Sequence, residues 1–198
     1  WGIAFFSFEL VRLVLTQKFQ AEGLSGAQLA GKLTYWTGIT SMIQNLGAFF
    51  GVYGFGLLSQ RVGRKPAFAV SFLLAMTSVA STFWFLRDFG DLWLVPLMVF
   101  GTLSVFGGYA IYFPELFPTR LRSTGTSFCY NVGRFVAASG PALLGLLTGV
   151  VYKDTGATDP AMPLRYAGVT MCSVYLIGLI ALNFAPETRG QPLPEEEP

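Results

Sequence analysis

The sequence predicts an all-α, polytopic transmembrane helical bundle of six spans, and three observations carry that expectation. The 198-residue chain is 53% hydrophobic and 16% aromatic with only 12% charged residues, an apolar balance unusual for a soluble domain of this length. Four uncharged stretches, Leu33–Leu58, Pro66–Leu86, Leu92–Phe113 and Tyr166–Ala185, each reach the roughly 20 residues that cross a hydrocarbon core as helix. Lipid offers no partner to a free backbone N–H or C=O, and barrel strands would be about half as long, so helices are the form that remains.

The first span, about residues 1–17, is apolar but short and carries Glu9 and Arg12, one turn apart and placed to form a local i,i+3 ion pair. The chain opens on Trp1 with no initiator Met and no basic leader, so an upstream part is expected. The second span, 33–58, contains Gly47-x-x-x-Gly51, a spacing that lets helix backbones approach closely in lipid. The third and fourth spans cover 66–86 and 92–113. The fifth, 124–151, is interrupted by the single charge Arg134 and holds a second such glycine pair, Gly145 and Gly149. The sixth covers 166–185. Residues 1–186 then form one membrane domain, and 187–198, ending "QPLPEEEP", form an acidic, proline-rich tail too polar to bury.

The connectors alternate. Arg61, Arg64, Lys65, Arg120, Arg122 and Arg189 fall on one side of the bundle, and Lys18, Lys32, Arg87, Lys153 and Arg165 on the other. Density decides what the totals do not: the first set is packed into short connectors beside the span ends, where positive-inside bias acts, and this places those connectors and the C-terminus in the cytoplasm. Trp36, Trp84 and Trp93 lie near span ends on the other face, as interfacial anchors do.

Several function classes are excluded. There is no His, and Cys129 and Cys172 both fall inside spans, which argues against a metal site, a disulfide or any cofactor. A net charge of +2 with no soluble basic surface gives no case for nucleic acid. Without G-x-x-x-x-G-K-[ST], G-x-S-x-G or paired intramembrane carboxylates, neither ATP hydrolysis nor an enzyme active site is expected.

Arg134 is the outlier. It sits about 10 residues into its span, roughly 15 Å deep, where a cation costs about 2.5–3.5 kcal/mol on insertion scales and should face a cavity or a counter-charge. Ser127, Tyr130 and Asn131 share its helix face. Thr37, Ser41 and Gln44, with Asn45 beside them, make a second polar stripe at the same depth, and Tyr109 in the fourth span is a further candidate contact. A guanidinium offers planar, paired donors suited to a carboxylate, so the pattern points to a small anionic organic solute. An acid from elsewhere in the protein could neutralise Arg134 and leave other solutes open.

The junctions resemble a known family. "GLLSQRVGRK", Gly56 to Lys65, is similar to the G-x-L-x-D-R-x-G-R-K loop of the major facilitator superfamily. "PELFPTRLRSTG" resembles the E-x-x-P-x-x-x-R-x-x-G segment of its sugar-porter and organic-ion branches, and "PETRGQPLPE" resembles the P-E-T-x-G signature that follows their last helix. The resemblance implies the C-terminal six-helix half of a twelve-helix carrier, partnered by an N-terminal half, by the bilayer and by a small-molecule substrate, in the plasma or inner membrane. It further implies a cytoplasmic charge network of Glu115, Arg122, Arg61, Arg64, Lys65, Glu187 and Arg189 that locks and releases during alternating access. Gln60 stands where the loop motif has Asp, and the fourth span lacks the G-x-G-P-x-x-W of hexose porters, which moves hexose behind organic anions; hexose, polyol or organic-cation carriage and a non-transporting sensor are the alternatives. No carboxylate lies deep in an intact span, so co-transport of H+ or Na+ would draw its titratable acid from the upstream half.

Overall fold

The computed structural model describes residues 2–157 and 159–194; Trp1 of the first predicted span, Thr158 of the last connector and residues 195–198 of the tail lie outside the described residues. The helices are α1 (Gly2–Ala21), α2 (Gly26–Val62), α3 (Arg64–Phe85), α4 (Leu94–Leu116), α5 (Arg122–Ala137), α6 (Gly140–Leu146), α7 (Met162–Met171) and α8 (Val174–Ala181). Single tight turns at Phe89–Trp93 and Lys153–Ala157 and a wide π turn at Leu147–Val151 join them. No strand occurs among the described residues.

Among the described residues helices occur in each of the six expected stretches, with α5, α6 and the π turn in the fifth and α7 and α8 in the sixth, the last two runs broken by turns at 138–139 and 172–173. Four of these runs, 64–85, 89–116, 122–151 and 162–181, are long and apolar enough to cross a membrane. The other two are diluted by polar residues: α2 by Thr37, Ser41, Gln44 and Asn45, and α1 by Glu9, Arg12 and Lys18. Glu9 and Arg12 are both exposed and do not form the expected ion pair, because an i,i+3 pair on a helix surface gains only about 0.2–0.5 kcal/mol.

The helix ends follow from local chemistry. At the α2–α3 junction Gly63 takes φ +101°, a region closed to most side chains, and its N–H still reaches Ser59 O at 3.2 Å. After α3 the chain turns through Asp88 and Asp91. The Asp91 carboxylate accepts Arg87 N and Asp88 N at 3.0 and 2.9 Å, satisfying donors that the next turn would leave free.

Helix α4 is the central element, packed against α2, α3 and α5. On α2, Gly47 and Gly51 bring its backbone against that of α4 at Pro96 and Phe100, leaving no room for a Cβ. That is the close approach the G-x-x-x-G spacing allows. The second spacing has no such use: Gly145 and Gly149 face open space among the described residues. Two apolar cores result. One, at the end bearing the α2–α3 junction, gathers Phe55, Phe68, Phe72, Val105 and Tyr112. The other, at the opposite end, gathers Leu10, Val14, Val79, Phe83, Val95 and Met98.

At that opposite end Arg165 is only 3% exposed. Its guanidinium donates to the carbonyls of Phe83, Trp84 and Leu86 at 3.0, 3.2 and 2.8 Å, with the Asp159 carboxylate 3.9 Å from Nε. A cation at a helix C-terminus meets the negative end of the dipole and the orphan carbonyls together. Arg165, expected to be only a marker of membrane sidedness, is a structural cap for α3.

Replacing Gly51 by Ala should destabilise the full-length protein by about 1–3 kcal/mol, read as a lower unfolding temperature in detergent. Gly56→Ala, whose Cβ would meet nothing within 4 Å, should leave it unchanged.

Candidate functional site

Two groups of residues matter: a charge cluster at the end of the bundle and the polar stripes of α2 and α5. In the cluster, Arg64 holds Glu115 with both arms, Nη2 to Oε1 at 2.6 Å and Nε to Oε2 at 3.0 Å, and donates Nη1 to Ser59 O at 3.0 Å. Thr188 adds its hydroxyl to Glu115 Oε2 at 2.6 Å. The two charged side chains are only 15% and 19% exposed, so this pair is better shielded than an ordinary surface ion pair. Pro114 and Pro118 stiffen the connector that presents the acid.

Glu187 works through backbone instead. Its carboxylate accepts Arg64 N at 2.8 Å and Lys65 N at 3.0 Å, the first free donors of α3, and also Arg189 N at 3.0 Å. A carboxylate there satisfies orphan N–H groups and faces the positive end of the helix dipole. Partial burial alone would raise the Glu187 carboxyl, but the backbone donors of Arg64, Arg189, Lys65 and Thr188 outweigh it and hold the group below the usual carboxylate range. A Cβ on Gly63 would meet the Glu187 carboxylate at 2.8 Å, so the glycine serves both the turn and the acid's approach. Tyr112 Oη donates to Pro186 O at 2.8 Å and fastens the same segment to α4.

The remaining cluster residues take other partners. Arg189 Nη1 donates to the Arg61 carbonyl at 2.6 Å, so Arg61 contributes its backbone, and its side chain forms no ion pair among the described residues. Lys65 likewise contributes its N–H. Arg122 donates to Pro114 O at 3.0 Å and to Thr119 Oγ1 at 3.4 Å, and pairs with no acid among the described residues. Thr188, Ser59 and Tyr112 do not stand out in the sequence. Thr188 and Tyr112 lie inside or beside the quoted motifs, so a signal is present there; the Ser59 carbonyl gives none.

The α5 and α4 candidates meet beside the core at the α2–α3 junction end. Tyr130 stands edge-on to Tyr109 at 6.5 Å between ring centroids, and to Phe106 and Phe113 at 5.5 Å each. In the sequence Phe106 and Phe113 are plain span residues. Asn131 Nδ2 bonds back to Ser127 O at 2.8 Å and Asn45 Nδ2 to Ser41 O at 2.7 Å, so both amides keep their carbonyl oxygens free of these bonds. Thr37, Ser41 and Gln44 are half-buried on α2, whereas Asn45, Ser127, Asn131 and Arg134 are exposed. The α2 stripe and the α5 stripe flank α4 without a hydrogen bond or ring contact between them among the described residues. Arg134 has no carboxylate within ion-pair distance among the described residues; the pairs present are Lys18–Asp88, Lys32–Glu22, Arg64–Glu115 and Arg165–Asp159. No cluster of metal-ligating side chains occurs among the described residues.

Comparison with known proteins agrees with the motifs. The family described as Sugar (and other) transporter matches residues 11–94. The chain is 36% identical to solute carrier family 22 member 12 of Homo sapiens over 141 residues, covering 70% of this chain and 23% of that protein. It is 30% identical to the inner membrane metabolite transport protein YhjE of Escherichia coli over 146 residues, 70% of this chain and 30% of the relative. With organic anion transporter 3 of Oryctolagus cuniculus it shares 32% identity over 137 residues, 68% and 23%. The chain thus spans less than a third of the length of these relatives, all of them named as solute carriers or transport proteins. The junction motifs, the bundle of membrane-length helices and these matches have one common meaning: this is an integral membrane protein and belongs to the major facilitator superfamily.

Proposed function

We propose that the full-length protein carries a small organic anion across the membrane by alternating access, with Arg134 as the group that meets the solute's negative charge. The observation that carries this reading is the state of Arg134: a cation on a membrane-length helix, exposed on a polar face and without a carboxylate partner among the described residues. Such a charge is too costly to keep in lipid without a use. A carboxylate brought to it would gain charge-assisted, paired hydrogen bonds; Tyr130 lies one turn before Arg134 on the same helix, edge-on to Tyr109. The name of organic anion transporter 3 is consistent with that chemistry.

The charge cluster acts as the gate. Arg64, Glu115, Thr188 and Glu187 join the α2–α3 junction, the end of α4 and the segment after α8, at the end that carries the densest basic connectors, for which the positive-inside bias favours the cytoplasmic side. One shielded ion pair, with the hydrogen bonds and helix cap around it, can hold such an end closed and still release it within the cycle. Driving energy would come from a solute or ion gradient.

Two outcomes follow. In sealed vesicles holding the full-length protein, Arg134→Ala should lower uptake of a radiolabelled carboxylate panel by about tenfold or more, since a hydrogen bond to a charged group contributes about 1.5–3 kcal/mol. Arg134→Lys should keep part of it, having the charge without the paired geometry; undiminished anion uptake in the Ala variant would remove Arg134 from the site. The second concerns acidity. Because the folded-state Glu187 carboxyl lies below its ordinary value of 4.5, its contribution is present above that pH and is lost as pH falls through the depressed value. The unfolding temperature of the wild type should therefore drop on acidification through this window, and that of Glu187→Gln should drop less.

A further inference from the structure

We propose that the fifth span contains a pivot at Ser139–Pro141, about two turns beyond Arg134, about which the arginine-bearing half moves relative to the other. The helix ladder is defective there for a covalent reason: Pro141 has no N–H, so the Ala137 carbonyl loses the donor that would continue the pattern. The chain compensates with tighter bonds. Ala138 N splits between Arg134 O at 2.9 Å and Phe135 O at 3.3 Å, and Ser139 N reaches only Val136 O at 3.2 Å. The Ser139 hydroxyl adds a bond to the same Val136 carbonyl at 2.8 Å. Regular spacing resumes at Leu143 N to Ser139 O, 3.0 Å, and a second irregularity follows in the π turn Leu147–Val151. Interrupted ladders of this kind are where helices bend.

Packing divides the span at the same place. The α5 half rests on α4, where Tyr130 meets Phe106, Tyr109 and Phe113. The α6 half and its π turn rest on α7 and α1, with Leu144 and Leu147 buried in the opposite-end core. Between these anchors residues 131–139 are all exposed, and a Cβ at Gly133 or Gly140 would touch nothing within 4 Å. Two ends of one helix, fixed to different neighbours and joined through a weakened turn, have the anatomy of a hinge. Its use in moving Arg134 rests on the transport reading; its existence does not.

The test uses the full-length protein in lipid nanodiscs, with Cys129 and Cys172 replaced by Ala and spin labels at Ser123 and Val150, both exposed and about 40 Å apart along a continuous helix. The pivot predicts a broad or two-peaked distance distribution that becomes single, narrower and longer in Pro141→Ala and in Gly140→Ala/Pro141→Ala. It also predicts carboxylate uptake reduced about fivefold or more, with Gly133→Ala unchanged in both measurements. One narrow distribution shared by wild type and variants would overturn the pivot. Narrowing with undiminished uptake would overturn its part in transport. Should no form of the protein take up carboxylates, narrowing would still establish the pivot and the transport reading alone would fall.

Discussion

The arrangement depends first on the paired contact between Arg64 and Glu115. Fifty-one positions separate the two residues, and the hydroxyl that completes the site, from Thr188, comes from a third segment. Each of these segments leaves a helix end exposed by itself: α2 stops at Gly63, α4 stops beyond Pro114, and α3 begins with free N–H groups. Brought together they satisfy one another, and Glu187 closes the start of α3 with the carboxylate that its dipole favours. An acid–base pair this shielded would be costly if either partner were absent, so the three segments are interdependent.

A second constraint operates along the helices. Lipid gives apolar side chains little reason to prefer each other over hydrocarbon, and association relies on close packing. The glycines of α2 provide that closeness against α4, while α3 is held at its far end by Arg165 and its three carbonyl contacts. Helix α3 is thereby held at both ends and α2 is held against α4 along its glycine face, whereas residues 131–139 around Arg134 are exposed among the described residues.

Much of this is legible in the sequence and some is not. Uncharged run length announces the helices. The charges at the junctions announce where segments gather, since an acid bounded by prolines and followed by arginines cannot sit in hydrocarbon and must find its partners at the membrane surface. The partners are less visible. Glu187 uses backbone N–H groups, Arg122 a carbonyl and Arg61 its own carbonyl oxygen, and a backbone atom leaves no mark in the amino-acid type. Gly47 with Gly51 and Gly145 with Gly149 read identically, yet among the described residues only the first pair meets a neighbour; which face of a helix meets another is set by tertiary contacts that spacing does not encode. Arg165 is hidden for the same reason, as the carbonyls it caps lie 79 to 82 positions earlier. The polar stripe of α2 has an unforeseen side effect, lowering the apolarity by which a span is recognised.

Arg64 and Glu115 are held to act as one unit joining three segments, and a double-mutant cycle on the full-length protein measures that directly. With Arg64→Gln, Glu115→Gln and both together, unfolding followed in detergent should give a coupling of about 0.5–3 kcal/mol, the double variant being little worse than either single one. Strictly additive losses would contradict this, for they would mean that the two residues stabilise the bundle independently and that the cluster is not a joint.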